Sequence, residues 1–463
     1  MIKKYNIKIH TLILLLISIL FFTIYFLTKK YTPDSALVIY KIGMLIYGVI
    51  ILVYLSIFEN TLYGISFFMN VFLIDEMGFT NYDNMFLLIN VFLLTILGLI
   101  INLFRFKPKI KPHHYTKSTI IFGLGIALAG LGVKEYNPDF LVEYYWFMPF
   151  LVGFLIIMAI ILLNYFSAST KSNLEDLAYY FSNVVILIFY EILVSMITFD
   201  QGISQFYIGK NLHLGIGSPN TVAIILQMAM PFMLFFSFKN KSLYFSLIFY
   251  MNLLALFETI SRGAILVTVP LITIYFIYLV YKNHHKKNIF NHSIGFMLFI
   301  IYILIFLSIS PNLVTNFLNS LFNNRLSSLN GRLPIYNFII EHYKENPLFG
   351  IGIVSNSLWN IEGGKYFLFA HSTFLEMLWM GGVILVLSFS VHLVDKYYHV
   401  YDDKKYGLLL IVFFIIPGIY GLFDVTYFNI HYTLYLLIVM YFYKKDNNYD
   451  NSYNYYNLLY KTP

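Results

Sequence analysis

Three arginines in the second half of the chain are of a type that binds charged substrates. Arg262 stands between two apolar segments, and Arg325 and Arg332 flank residues 326–331 of a long polar stretch. A guanidinium group presents a planar fork of donors that fits phosphate oxygens. An arginine between apolar segments also binds lipid head groups, so residue type alone leaves both interpretations of Arg262 open.

His371 is the candidate for proton transfer. It precedes an apolar segment that runs from Thr373 to Val394, with Glu376 one turn inside. An unperturbed imidazole pKa of about 6.5 lies near ambient pH, which suits a proton acceptor. A single histidine at such a boundary is also an ordinary structural residue, and its position alone favours that interpretation.

A glycine-containing run from Pro347 to Gly352 lies between Arg332 and His371. Its two glycines, two positions apart, predict a turn that a bulky residue would obstruct. An apparently amphipathic helix is predicted just before it, from Pro334 to Tyr343, because prolines punctuate both ends. We expect this helix to lie on a membrane surface.

The composition indicates which structural elements position these residues. Of 463 residues, 59% are hydrophobic and 11% are charged, whereas soluble domains carry roughly 25% charged residues. The apolar residues fall in blocks of about 15 to 22, the length that a helix needs to cross the hydrocarbon layer. The chain has no cysteine, which excludes disulfides and thiolate chemistry.

We therefore predict an all-α polytopic membrane protein with about fourteen transmembrane helices, within a range of about twelve to fourteen. Segment 62–74 is short for a span, and the alternative for it is a re-entrant or interfacial helix. The predicted spans are 11–27, 37–58, 62–74, 85–104, 119–133, 145–166, 177–197, 221–236, 243–257, 264–281, 294–309, 373–394, 408–423 and 430–442.

The distribution of lysine and arginine predicts the sidedness. Basic residues concentrate in segments 105–117 and 282–287 and are absent from 75–83, which places both termini in the cytoplasm. The predicted organisation is helices 1 to 11 in 1–309, a long extracytoplasmic loop with short helices in 310–372 that forms part of the active site, helices 12 to 14 in 373–443, and a cytoplasmic tail in 444–463.

The order of these motifs resembles the O-antigen ligase and Wzy-type polymerase superfamily. The motifs are Ser261-Arg262-Gly263, Gly331-Arg332, Pro347 to Gly352, and His371-Ser372 followed by Phe374-Leu375-Glu376. The resemblance is strongest over about 215–385. Ser372 stands where the family often has asparagine, and Tyr336 stands where many members have tryptophan.

The resemblance implies a multi-pass protein of the bacterial cytoplasmic (inner) membrane, with its active site on the extracytoplasmic face. It implies that Arg262 and Arg332 engage the diphosphate of an undecaprenyl-diphosphate-linked oligosaccharide, with Arg325 as a third candidate. It also implies that His371 activates the acceptor hydroxyl. We expect no metal and no cofactor. Membrane lipid is an expected partner, as are a flippase and a chain-length regulator of the same pathway, while nucleic acid is not expected.

The leading functional hypothesis is an extracytoplasmic polysaccharide polymerase, an inverting glycosyltransferase that joins lipid-linked repeat units into O-antigen or capsule. The alternative is an O-antigen-ligase-type enzyme that moves a finished lipid-linked glycan to another acceptor. A polysaccharide flippase or other transporter is the hypothesis from another class. Transport gives no reason for a long outer loop, and its polar residues should run through the full membrane depth, whereas here they gather on one face.

Overall fold

The described part of the chain is mainly helical, and each predicted span overlaps a helix. The computed structural model describes residues 7–31, 33–74, 82–131, 148–169, 174–198, 212, 214, 218–309, 315, 332–352, 370–401, 403, 405–427 and 430–443. The helices are α1 (Ile7–Tyr31), α2 (Pro33–Ile57), α3 (Leu62–Ile74), α4 (Tyr82–Phe106), α5 (Thr116–Ala127), α6 (Met148–Ser169), α7 (Leu174–Thr198), α8 (Pro219–Lys239), α9 (Leu243–Glu258), α10 (Arg262–Lys282), α11 (Lys286–Ile309), α12 (Arg332–Tyr343), α13 (Thr373–Tyr401), α14 (Gly407–Tyr420) and α15 (Ile430–Phe442).

Six helices in this described part are long and apolar enough to cross a membrane. They lie within α4, α7, α8, α10, α11 and α13. Large apolar side chains on the outside of the bundle are exposed, as in Leu266 and Ile274 of α10, which is what a helix facing lipid requires. The prediction of an all-α membrane protein agrees with these helices, while the number of crossings stays a prediction.

Helix α3 is buried nearly all round. Its thirteen residues extend about 20 Å at 1.5 Å per residue, less than the hydrocarbon thickness of about 30 Å. Neighbours α1, α2 and α7 enclose it, and Phe67, Val71 and Leu73 are almost completely covered. This segment, 62–74, therefore packs as an internal helix of the bundle.

Helix α13 folds back on itself at Gly382, which the prediction of one continuous span 373–394 did not include. Gly382 has φ of 60° and ψ of −158° inside the helix. The rings of Phe374 and Phe389 lie 5.7 Å apart, whereas fifteen residues of straight helix would separate them by about 22 Å. The element is a short helix from Thr373 to Gly381 followed, after the reversal, by a longer one to Tyr401.

The Pro347–Gly352 turn docks onto this reversal through backbone hydrogen bonds. Val383 N–H donates to the Pro347 carbonyl at 2.9 Å, and the N–H groups of Ile351 and Gly352 donate to Trp379 and Met380 at 2.9 and 2.8 Å. Gly350 has φ of +62°, and a Cβ there would lie 2.4 Å from the Trp379 carbonyl oxygen. The predicted glycine turn is thus present. A larger residue at position 350 would clash with a backbone carbonyl group.

The amphipathic helix predicted at Pro334–Tyr343 is present as α12. Its Ile339 is fully buried and joins a small cluster with Ile351, Ala370 and Trp379. Leu333 and Ile340 remain exposed on its other side. Helix α12 therefore packs against the short half of α13 and brings Arg332, at its first position, toward the residues that precede Thr373.

Candidate active site

The candidate site is built around Asp424, in the turn between α14 and α15. Asn220 Nδ2 donates to Asp424 Oδ2 at 2.6 Å, and the Tyr420 hydroxyl donates to the same oxygen at 2.9 Å. Ser261 Oγ donates to Asn220 Oδ1 at 2.9 Å and lies 3.2 Å from the Tyr420 hydroxyl. Three chain segments that are distant in sequence therefore hold one carboxylate in place.

His371 faces this carboxylate. Its Nδ1 lies 3.7 Å from Asp424 Oδ1, which is an ion-pair separation beyond hydrogen-bonding distance. The His371 side chain is 36% exposed and that of Asp424 is 12% exposed. Because Nδ1 points at the carboxylate, Nε2 is the nitrogen that can exchange a proton with a substrate.

The backbone around His371 is held from both sides. His371 has φ of +51°, a conformation that a side chain other than glycine adopts only when its surroundings impose it. Ala370 N–H donates to Glu376 Oε2 at 2.6 Å, and the Tyr336 hydroxyl donates to the His371 carbonyl at 3.3 Å. Tyr336, the departure noted in the sequence, therefore contacts the backbone of the candidate base.

The start of α13 is tied to the turn that carries Asp424. Thr373 N–H donates to the Gly421 carbonyl at 2.7 Å. Thr373 Oγ1 donates to the Asp424 carbonyl at 3.1 Å and accepts from Thr426 N–H at 3.0 Å. These bonds fix the separation between His371 and Asp424, because each lies within three residues of Thr373 or Gly421.

Arg332 contacts the turn that carries Asp424, and Arg262 lies next to residues that contact it. Arg332 Nη1 donates to the Phe423 carbonyl, which leaves the rest of its guanidinium fork for another acceptor. Arg262 is the first residue of α10 and follows Ser261. A Cβ at the adjacent Gly263 would lie 3.1 Å from the Tyr420 ring. The Tyr420 ring therefore approaches the backbone of α10 closely at this glycine.

The surroundings of Asp424 keep it charged. Burial raises its pKa, but the His371 imidazole, the Val425 N–H and the Tyr420 hydroxyl lower it, so the pKa lies below its ordinary value of 3.8. Val425 N–H donates to Asp424 Oδ1 at 2.8 Å. A carboxylate that stays ionised near an imidazole stabilises the imidazolium form.

An apolar groove of about 290 Å³ opens beside the site, between the long half of α13 and α14. Thr373 and Thr426 lie at its site end, and Phe374 and Leu422 on its rim are exposed. Lys396 lies within the lining and donates to the Tyr427 hydroxyl at 2.5 Å. The groove thus joins the turn around Asp424 to the outer, apolar surface of the helices.

Of the four predicted site residues, His371 and Arg332 contact the Asp424 turn, and Arg262 follows Ser261, which is linked to that turn through Tyr420. Arg325 lies outside the described residues. Asp424, Tyr420 and Asn220 were not predicted as site residues from the sequence. The one available signal for Asp424 was an acidic residue in a short connection on the predicted outer side, just before a span.

Comparison with known proteins places a family domain over much of this site. Residues 246–390 match the family model described as O-antigen ligase. No curated protein and no solved structure matches the chain. The matched stretch contains Arg262, Arg332 and His371, whereas Asn220 and Asp424 lie outside it. The resemblance found in the motifs is thereby confirmed over residues 246–390, which are similar to the O-antigen ligase family.

Proposed function

We propose that this protein is an extracytoplasmic polysaccharide polymerase, an inverting glycosyltransferase that joins undecaprenyl-diphosphate-linked repeat units into O-antigen or capsule. The proposal includes the sidedness predicted from the basic residues, with both termini in the cytoplasm and residues 310–372 on the outer face. The observation that supports it is the His371–Asp424 pair with Arg332 at the same turn, next to the end of α10 where Arg262 stands. Acid–base and diphosphate-binding groups are what transfer from a lipid diphosphate requires.

The acceptor is activated at His371. Its Nε2 takes the proton of the acceptor hydroxyl while that oxygen forms a bond to the anomeric carbon of the donor. Asp424 stabilises the resulting imidazolium through Nδ1. Attack opposite to the departing group inverts the anomeric carbon, and the proton afterwards passes to water.

The donor is cleaved at the bond between its anomeric carbon and the diphosphate oxygen. The electron pair of that bond leaves with the diphosphate, so negative charge grows there as the bond breaks. Arg262 and Arg332 stabilise this charge more strongly in the transition state than in the bound donor, which is the condition for accelerating the step. Arg325 remains a further candidate for the same role.

The apolar groove beside the site suits the first prenyl units of the donor. A lipid diphosphate needs its head group at the arginines and its chain in apolar surroundings. The groove begins at Thr373 and Thr426, next to the His371–Asp424 pair, and its exposed rim at Phe374 and Leu422 faces outward. A chain placed there would leave the site directly into the bilayer.

The test is the length distribution of surface glycan in cells that carry His371→Ala, Arg262→Ala or Arg332→Ala. Long chains should vanish and single repeat units remain, with the membrane level of each variant unchanged. Arg105→Ala is the matched control, since Arg105 Nη1 also donates to a backbone carbonyl, that of Ser56, at 2.9 Å. Unchanged glycan lengths in all three site variants would reopen the transporter hypothesis.

A ligase is the second candidate, because the family model that matches is described as O-antigen ligase. The donor chemistry would be the same, and only the acceptor would differ. Purified protein supplied with a lipid-linked repeat unit alone distinguishes the two. Chain lengthening without another acceptor indicates a polymerase, whereas transfer that requires an added, different acceptor indicates a ligase.

A further inference from the structure

A basic cleft lies at the end of the helices opposite to Asp424. Helices α8, α10 and α14 each have one end at the candidate site and the other at this cleft, about 30 Å away for a 21-residue helix. The cleft has a volume of about 510 Å³. It is lined by residues from three separate connections, with basic members Lys239, Lys241, Lys282, His284, His285 and Lys405.

The positive charge of the cleft meets no acidic side chain in its lining. Among the described residues that form the cleft there is no aspartate or glutamate. The nearby Asp403 accepts from the backbone N–H groups of Lys405 and Tyr406 at 2.8 and 3.0 Å. Glu175 accepts from Asn240 Nδ2 at 3.0 Å. The described lining therefore carries an excess of positive charge, which favours binding of an anion in the cleft.

Hydrogen bonds hold together the helix ends that form the cleft. Lys239 Nζ donates to the Tyr406 hydroxyl at 2.9 Å and lies 4.5 Å from the centre of that ring. Asn288 Nδ2 donates to the carbonyls of Asn283 and Phe238 at 3.0 and 3.3 Å. These contacts hold the end of α8 against the turn between α10 and α11. Lys241 and Lys282 at the rim are exposed, so their ammonium groups are available to a ligand.

Membrane topology alone gives a simpler account of lysines at this end. Lysine and arginine accumulate on the cytoplasmic side of membrane proteins, and that rule requires only the correct side. The rule does not require lysines from three connections to line one cavity, nor that the described lining of this cavity contain no carboxylate. The basic segment that follows α4 satisfies the rule without such a cavity, because Lys107, Lys109 and Lys111 are exposed and none of them lines this cleft.

We propose that this cleft binds the phosphate groups of an anionic ligand, as a second site separate from the candidate active site. Several ammonium groups around one cavity favour multiply charged phosphate over a single carboxylate. Two sources share this chemistry: the head group of an anionic phospholipid and a soluble polyphosphate. The proposal does not depend on the function proposed above.

The experiment measures binding of fluorescent cardiolipin, which carries two phosphates, to the full-length protein in neutral detergent micelles. The test variant is Lys241→Gln/Lys282→Gln, and the control is Lys109→Gln/Lys111→Gln. The control removes the same charge at the same end, since the His114 and His399 rings lie 4.3 Å apart and tie that segment to the end of α13. Inorganic pyrophosphate is added as a competitor in a second series.

We expect the affinity of the cleft variant for cardiolipin to fall about tenfold or more, and that of the control less than about twofold. Displacement by pyrophosphate identifies a site that also accepts soluble phosphate, while resistance to it identifies a lipid head-group site. Absence of binding by the unmodified protein to both probes would overturn the proposal, as would equal losses in the two variants. If the double variant does not fold, Lys241→Gln alone replaces it, with Lys109→Gln as its control.

Discussion

Two histidine–aspartate pairs occupy opposite ends of the same protein, and the closer pair is not the one at the candidate site. His399 Nε2 lies 3.1 Å from Asp395 Oδ1, four residues away on the same helix. His371 Nδ1 lies 3.7 Å from Asp424 Oδ1, with α13 and α14 between them in sequence. The histidine–aspartate distance alone would therefore select the His399–Asp395 pair instead of the pair at the candidate site.

The environments of the two carboxylates differ more than the distances do. Asp395 is bound by Ser118 Oγ, and its histidine stacks near the ring of His114. Asp424 is bound by Asn220 and Tyr420, which Ser261 links together, and Arg332 reaches the carbonyl next to it. The His399–Asp395 pair lies within one turn of a single helix, whereas the surroundings of the pair at Asp424 bring together five chain segments that are distant in sequence.

The largest effect should come from removing the histidines. His371→Ala should lower the rate of chain lengthening by about two to four orders of magnitude, because the acceptor then loses its proton acceptor. His399→Ala should leave the rate near that of the unmodified enzyme. The measurement is turnover of a lipid-linked repeat unit by purified protein. Equal losses in both variants would mean that the comparison identifies no catalytic pair.

Removing the negative charges should have a smaller effect in the same direction. Asp424→Asn keeps the size of the side chain but no longer stabilises the imidazolium, so kcat should fall roughly ten- to a thousandfold with a smaller change in KM. Asp395→Asn should change kcat by less than about threefold. A loss confined to KM in Asp424→Asn would instead assign that residue to substrate binding.

The pair at Asp424 should depend on the glycine turn that supports the reversal of α13. Gly350→Ala should lower the free energy of unfolding by about 1–3 kcal/mol, since its Cβ would meet the Trp379 carbonyl oxygen at 2.4 Å. Gly418→Ala in α14 is the control, because its nearest neighbour would lie 3.9 Å away. Thermal unfolding of both variants measures the difference. An unaffected Gly350→Ala would show that the turn can move away from α13.

The smallest effect concerns the pH dependence of stability. The pKa of Asp424 in the folded protein is below its ordinary value of 3.8, so its carboxylate stabilises the fold above that value. The contribution is lost as the pH falls through the lower, folded-state pKa. The difference in unfolding midpoint between the unmodified protein and Asp424→Asn should therefore narrow between neutral pH and pH values below about 4. A difference in unfolding midpoint that widens as the pH falls would show that the ionised Asp424 does not stabilise the fold.

The sequence predicted the positions of the helices because lipid demands long apolar segments, and that demand is local. The order of the motifs around Arg262, Arg332 and His371 indicated the family, and the family model covers all three residues; their roles stay predictions. Asp424 could not be predicted in this way. Its role depends on contacts with Asn220 and Ser261, which are made only after the helices have packed.

The reversal of α13 was equally invisible. Residues on both sides of Gly381 and Gly382 are apolar, and glycines are frequent in unbroken membrane helices as well. What stops the helix is the docking of the Pro347–Gly352 turn, whose hydrogen bonds compensate the backbone groups exposed by the break. The hydropathy of a segment does not predict hydrogen bonds with a distant part of the chain.

The fold-back at Gly382 also has a consequence for how this protein is made. During synthesis, residues 373–401 would reach the membrane-insertion machinery as one continuous apolar segment. The nine residues before Gly382 must afterwards leave that arrangement and turn back beside Phe389. If the segment enters the bilayer as one helix, maturation includes a rearrangement in which these nine residues turn back and the Pro347–Gly352 turn, which is synthesised earlier, docks on the break.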